Sequence, residues 1–373
     1  MIGNGRVLVL GGYGTFGERV CLGLTRIAQL TRVYVAGRDL GKAEAACVRL
    51  VDPRCLPLAL DAHAAELCAT LKQLGIEIVI HTCGPFQGRG YQVARAALAA
   101  GAHYLDLADA RDFVCGIVVL DADARAAGKL ALSGASTVPA LSFAALRVLT
   151  AELSEVQHIA MGVTPGNRAP RGLATVAGVL SYVGQPLKVW QNREWQTQHG
   201  WQLLRRHDYP APVGKRWLSL CDVPDLSLLP EQFPALQSAE FRAGLELSVL
   251  HLGLSLAAGL RRCGLVPNWA PHARWLKYLS ECLLRFGSDS GAMHVEVTGV
   301  DRAGQMSKRR WTLLAQGGDG PQIPATAAVV LVRKLCSGQL TGSGAGPCID
   351  YFSLAEFNAE LAHLAIHDRT ETL

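Results

Sequence analysis

Residues 6–17 read RVLVLGGYGTFG: an apolar run, 6–10, passing straight into Gly11-Gly12-Tyr13-Gly14-Thr15-Phe16-Gly17. The run has the length and composition of a buried strand, and the segment after it, 16–27, has helical periodicity. Where a strand must turn into a helix, each glycine has a separate task. Gly12 permits the tight turn, Gly14 lets the backbone approach a pyrophosphate, and Gly17 lets helix and strand pack closely. The free N–H groups and the positive end of the helix then hold phosphate. The loop therefore predicts dinucleotide binding, with a flavin site or an ordinary glycine turn as the alternatives.

The pattern continues outward from this loop. Strand candidates follow at 32–36, 55–59, 77–82, 104–107 and 130–132, separated by helical stretches at 40–50, 64–74, 87–100 and 118–127. Strand and helix in alternation predict a doubly wound parallel sheet, and six strands make a complete Rossmann domain. Beyond residue 137 the rhythm changes. A strand is expected at 155–163, a helix at Leu173–Tyr182 and a hairpin over 293–315, which describes a second, α+β domain with a mixed sheet. Helices are expected at 324–335 and, behind the capping pair Ser353 and Glu356, at 354–364. The expected division is 1–137 for the Rossmann domain and 138–339 for a substrate and dimerisation domain. Residues 340–373 would return to pack on the first.

Composition limits the function. The 373 residues are 50% hydrophobic and 18% charged, with a formal net charge of +5. Disorder is excluded, and the scattered arginines form no run that would track nucleic acid. Eleven cysteines without a C-x-x-C pair suggest buried thiols in a reducing cytoplasm. Segment 244–260 is apolar on nearly every face. Its expected state is a buried helix, with membrane-surface contact or a span as alternatives. No metal-ligand spacing such as H-E-x-x-H occurs, so no metal is expected.

The second strand bears on the choice of cofactor. An NAD site ends that strand with an acidic residue, whereas here Val35-Ala36-Gly37 is followed by Arg38, with Lys42 a helical turn further. A guanidinium there suits a 2′-phosphate, so NADP is expected over NAD. The neighbouring Asp39 argues the other way, and Arg38 and Lys42 could be a solvated helix start. Cys83, Gly84 and Pro85 lie past the fourth strand, where rigid backbone could meet a nicotinamide or simply turn.

Together GGYGTFG, GRDL, HTCGPFQGRG and ARAALAAGAHYLDLAD resemble the NADP-binding domain of the saccharopine dehydrogenase family. SGASTVPALS and the C-terminal GPQIPATAAVVLVRKLCSGQL…GAGPCIDYFSLAEF extend the resemblance, while the middle matches loosely. The resemblance implies a pyridine nucleotide bound by Gly12, Tyr13, Gly14, Thr15, Phe16 and Gly17. It places Arg38 at the 2′-phosphate, Asp61 near the adenine, and Cys83, Gly84 and Pro85 at the nicotinamide. It also implies frequent dimerisation through the second domain's sheet.

A reductase further needs a proton donor and a substrate clamp. His103, Tyr104, Asp106 and Asp109 cluster around the fifth strand. Tyr104, Asp106 and Cys83 are the catalytic candidates, against a structural reading in which Tyr104 and Asp106 share one strand face as a hydrogen-bonded pair. Arg168 and Arg171 could clamp a substrate carboxylate or lie in solvent. The expectation is an NADP-dependent oxidoreductase acting on a small, amino-acid-derived imine or carbonyl as a cytoplasmic homodimer. A non-catalytic NADPH-binding sensor or scaffold is the alternative.

Overall fold

The computed structural model describes residues 3–373. Two compact units are present, one formed by residues through 141 with 321–361, the other by 142–320 with 362–373. The first holds a seven-stranded sheet in the order β3-β2-β1-β4-β5-β6-β15. Its strands are β1 (Arg6–Leu10), β2 (Arg32–Gly37), β3 (Cys55–Ala59), β4 (Ile78–His81), β5 (His103–Asp106), β6 (Leu130–Ser133) and β15 (Gly344–Pro347). Every pairing is parallel. Leu8, Val9, Val35, Val79, Ile80 and Leu105 are fully buried, because helices cover both faces and leave no solvent side for alternation.

The order β3-β2-β1-β4-β5-β6 is the doubly wound one predicted for a Rossmann domain. It reverses between β1 and β4, and all connections that leave strand carboxyl ends emerge on one edge. Helix Leu40–Leu50 has its expected length, whereas others are shorter than their sequence patterns. The first spans Gly17–Leu24, and the fourth starts only at Gln92, since Gly88 takes φ +67° in the turn before it.

The expected division at 137, 339 and 340 is displaced. Helix Ile323–Ser337, read with the second domain, belongs to the first unit because ten of its residues are buried there. A Cβ on Gly23 of the first helix would meet Val329 at 2.5 Å, which shows how closely the two helices pack. After it, Gly344–Pro347 adds a seventh strand beside β6. The last residues leave again: β16 (Ile366–Thr372) pairs antiparallel with β14 (Met306–Ala315) in the second unit. There the Trp311 indole N–H donates to Asp368 at 2.7 Å.

The second unit carries a nine-stranded mixed sheet. Its remaining strands are β7 (Leu153–Thr164), β8 (Pro186–Gln191), β9 (Glu194–His199), β10 (Arg205–Asp208), β11 (Lys215–Leu220), β12 (Ser238–Ala243) and β13 (Gly291–Asp301). Among these pairings only β12 with β7 is parallel. Segment 244–260 forms helix Ser248–Arg262, but it is not buried on all sides as expected. Only His251 and Ala258 are buried, while Val249, Leu252 and Leu256 are exposed. Among the described residues no helix is long and apolar enough to cross a membrane.

Candidate cofactor site

The glycine loop leaves β1 and folds back on β2: the amides of Gly11 and Gly12 both donate to the Ala36 carbonyl, at 2.8 and 3.0 Å. Gly11 itself has φ +80°, a conformation other residues adopt only under strain. The spacing is as tight as the motif requires. A Cβ on Gly17 would stand 2.1 Å from the Gly11 carbonyl oxygen, and one on Gly12 would stand 2.9 Å from Val35. The helix that opens here has no side-chain cap. The N–H groups of Tyr13, Thr15 and Phe16 have no partner among the described residues. An uncapped helix start with unpaired amides and no Cβ in the way fits a phosphate group.

Beside this loop lies the end of β2. The Tyr13 ring packs on Gly37, where a Cβ would come within 2.4 Å of it, and its hydroxyl accepts from the Asp39 amide at 3.1 Å. Asp39, the residue that argued for NAD, has other work. Its carboxylate caps helix Leu40–Leu50 through the Lys42 amide at 3.1 Å and pairs with the Lys42 ammonium at 3.1 Å. The Lys42 amide and ammonium hold its pKa below the usual carboxylate range. Arg38 is exposed and has no hydrogen bond or ion pair among the described residues. Asp61 follows β3, exposed, and accepts from the His63 amide at 2.9 Å, which caps the turn after that strand.

Across the reversal point, Thr82 anchors the next loop by donating its hydroxyl to the Leu10 carbonyl at 2.8 Å. The Thr82 hydroxyl and Cys83 thiol stand 2.7 and 3.0 Å from where a Cβ on Gly11 would be, so the two loops touch. Thr82 was not among the sequence candidates. A Thr one place beyond a strand carries no distinctive signal until the strand order is known. The Cys83 residue is exposed, but its thiol lies against the Gly11 turn, where desolvation, with the Asp61 charge second, pushes it up to about 11. Phe86, after Gly84 and Pro85, is buried edge-on against His81.

The next strands present a buried polar network. His81 and Asp106 are register partners on adjacent strands, with Tyr104 on the same face. The Tyr104 hydroxyl meets His81 Nδ1 at 3.0 Å, and all three residues are buried. Asp106 Oδ1 accepts from the amides of Ala108 and Gly134 at 3.0 and 2.9 Å and from the Ser133 hydroxyl at 2.9 Å. Its Oδ2 has no hydrogen bond among the described residues. Burial pushes Asp106 up to about 6 and His81 down to about 3, so the imidazole is neutral. His103 does not join this group. It opens β5 at the opposite edge of the sheet, where its Nδ1 accepts from the Leu130 amide. Asp109 lies in the loop beyond β5, its carboxyl raised by desolvation.

In the second unit Arg168 is exposed, with one guanidinium contact to the Arg285 carbonyl at 3.2 Å. Arg171 is turned onto its own loop, donating to the carbonyl and side chain of Asn167 at 2.6 and 3.0 Å. That loop is held by Glu246, which accepts from the Asn167 and Ser288 amides and pairs with Arg216 at 3.0 Å. His207, His294 and Glu296 bring possible metal-binding atoms within 4.8 Å of one another. The two imidazoles are stacked 3.9 Å apart and 4° from parallel, so their in-plane lone pairs do not converge on one ion. Glu296 is already paired with Arg310 and Lys308 at 2.5 and 3.0 Å.

Residues 7–134 match the family model described as the saccharopine dehydrogenase NADP binding domain. No curated protein matches the chain by sequence comparison. Among solved structures, apo saccharopine dehydrogenase (L-Glu forming) from Saccharomyces cerevisiae aligns with a TM-score of 0.70 at 13% identity, covering 99% of this chain and 100% of that one. A diaminopimelate dehydrogenase from C. glutamicum (14% identity, 97% and 99% covered) and an amine dehydrogenase from Mycobacterium smegmatis (11%, 92% and 94%) align with TM-scores of 0.47. The glycine loop, the unengaged Arg38 and the Cys83-Gly84-Pro85 turn all fall within the matched segment, and the yeast enzyme shares the fold over its whole length. Residues 7–134 thus match a saccharopine dehydrogenase NADP binding domain, in a chain that shares its fold with the yeast enzyme.

Proposed function

We propose that the protein is an NADP-dependent oxidoreductase that acts by hydride transfer on a small, amino-acid-derived imine or carbonyl. The observation that carries the nucleotide half is the contrast at the end of β2. Asp39 is consumed as a helix cap, and Arg38 is left to meet a 2′-phosphate. The printed names of the solved structures, saccharopine and diaminopimelate dehydrogenases among them, support an amino-acid-related substrate class.

When bound, NADP supplies or accepts the hydride. The chain's own residues bind and orient. Gly12, Gly14 and Gly17 bring the amides of Tyr13, Thr15 and Phe16 to the pyrophosphate, with Arg38 on the 2′-phosphate, Lys42 adding charge nearby and Asp61 on the adenine side. Cys83, Gly84 and Pro85 form the nicotinamide-side wall. Cys83 keeps its proton at neutral pH and can hold it at that wall. Tyr104 and Asp106, buried and engaged within the domain, act as positioning residues that fix the loops after β5 and β6. Of the two arginines, Arg168 has the exposed guanidinium for a substrate carboxylate, and Arg171 steadies its loop. The working form is a homodimer in the cytoplasm.

Calorimetry with NADPH and NADH tests this reading. Arg38→Ala should weaken NADPH by about 1–3 kcal/mol and leave NADH nearly unchanged. A screen of amino acids and keto acids for NADPH turnover then follows. Failure of the wild type to bind either nucleotide at millimolar concentration would end the proposal.

A further inference from the structure

Helix Ser248–Arg262 and helix Ala273–Glu281 both lean on one cluster of the second unit, built around Leu180, Val183 and Trp201. The first contributes Leu254, Ala257 and Ala258 to it, the second Ala273 and Leu276. Their other sides are apolar too. Val249, Leu252 and Leu256 recur at helical spacing on one, and Trp275, Tyr278 and Leu279 on the other, all exposed. Trp275 is 60% and Tyr278 64% exposed, and Leu265 in the connection is more so. Scattered surface leucines are ordinary, but two neighbouring helices both apolar on the outside mark an interaction surface.

Charge identifies what covers it. Residues 248–286 carry Arg261, Arg262, Arg274, Lys277 and Arg285 against a single acid, Glu281, a net +4 of the chain's +5. Lys277 is neutralised by Glu281, and Arg261 is turned inward onto the carbonyls of Ser181 and Val183. Arg262, Arg274 and Arg285 remain exposed, with no ion-pair partner among the described residues. A second copy docking the same face would set these cations against themselves. An anionic lipid surface answers both features. Its acyl boundary takes the apolar sides, its interface suits Trp and Tyr, and its headgroups meet the arginines. The helix of 15 residues is too short to cross the bilayer and would lie in its plane.

We infer that the outer face of these two helices docks the protein reversibly on anionic membranes. The test is co-sedimentation of the full chain with vesicles of phosphatidylcholine alone or with about 30 mol% phosphatidylserine, where about tenfold more protein should pellet with the anionic vesicles. Raising salt to about 0.5 M should release most of it. The double substitutions Trp275→Ser/Leu279→Ser and Arg262→Glu/Arg274→Glu should each abolish pelleting while the melting temperature and the light-scattering mass stay unchanged. The inference is overturned if anionic vesicles pellet no more protein than neutral ones, or if Arg262→Glu/Arg274→Glu binds as well as wild type. It is equally overturned if Trp275→Ser/Leu279→Ser changes the light-scattering mass and leaves pelleting intact, since the face would then join two copies.

Discussion

The carboxyl edge of one sheet is built in two contrasting ways. On the β1–β2 side, polar groups lack partners among the described residues: amides at an uncapped helix start and an Arg38 with no hydrogen bond or ion pair. On the β4–β5–β6 side, they are buried and mostly paired, with His81 on Tyr104 and three donors on one oxygen of Asp106, whose other oxygen alone has no hydrogen bond there among the described residues. A charged or aromatic residue at a strand end is therefore not a site by position alone. What distinguishes binding from framework is whether the polar atoms already have partners.

Substitutions at three positions bear on that contrast. The largest effect is expected where the open side is tightest. Gly17→Ala forces a Cβ against the Gly11 carbonyl and should cost about 3 kcal/mol or more, together with nucleotide binding. Thermal unfolding and calorimetry read both losses, and retained NADPH affinity in a well-folded Gly17→Ala protein would break the account of the loop.

Next, Asp106→Ala strands three buried donors and should cost about 2–3 kcal/mol. Asp106→Asn keeps the acceptor and isolates the charge. Because burial lifts the folded carboxyl to about 6, above its unfolded value near 3.8, ionisation penalises the fold. That penalty is absent below the unfolded value and grows as pH rises toward 6. The wild type should thus lose melting temperature relative to Asp106→Asn between about pH 4 and pH 7. Parallel melting curves for the two across that range would show that Asp106 does not titrate as a buried acid.

The smallest effect belongs to Asp39→Ala. Loss of an exposed cap should lower Tm by roughly 2–4 °C. The preference for NADPH should survive, since Asp39 is engaged with its own helix. A marked drop in NADH affinity in this variant would instead return Asp39 to the ribose.

The open side was legible in the sequence because its signals are local: glycines at fixed offsets, a basic residue after the second strand, strand and helix in turn. The closed side was legible only by half. Tyr104 and Asp106 could be placed on one face from their spacing, but His81 joins them through the register of β4 against β5. Thr82 likewise emerges only once β4 lies beside β1. Gly344–Pro347 has no strand-forming residues and pairs because β6 offers it an edge. Helix Ser248–Arg262 misled by its composition: an apolar segment suggests burial, and the structure leaves Val249, Leu252 and Leu256 outside.

The crossings of the chain between its two units set the order in which the protein can be completed during synthesis. Residues through 141 emerge from the ribosome first, yet they lack the helix Ile323–Ser337 that covers the first helix and the strand that borders β6. The first unit begins first and must wait until residues 142–320 have been added before its sheet can close. The second unit waits longer still, for the strand formed by Ile366–Thr372. Each unit thus spends translation with an apolar surface uncovered until its returning segment, 321–361 for the first and 362–373 for the second, has been added.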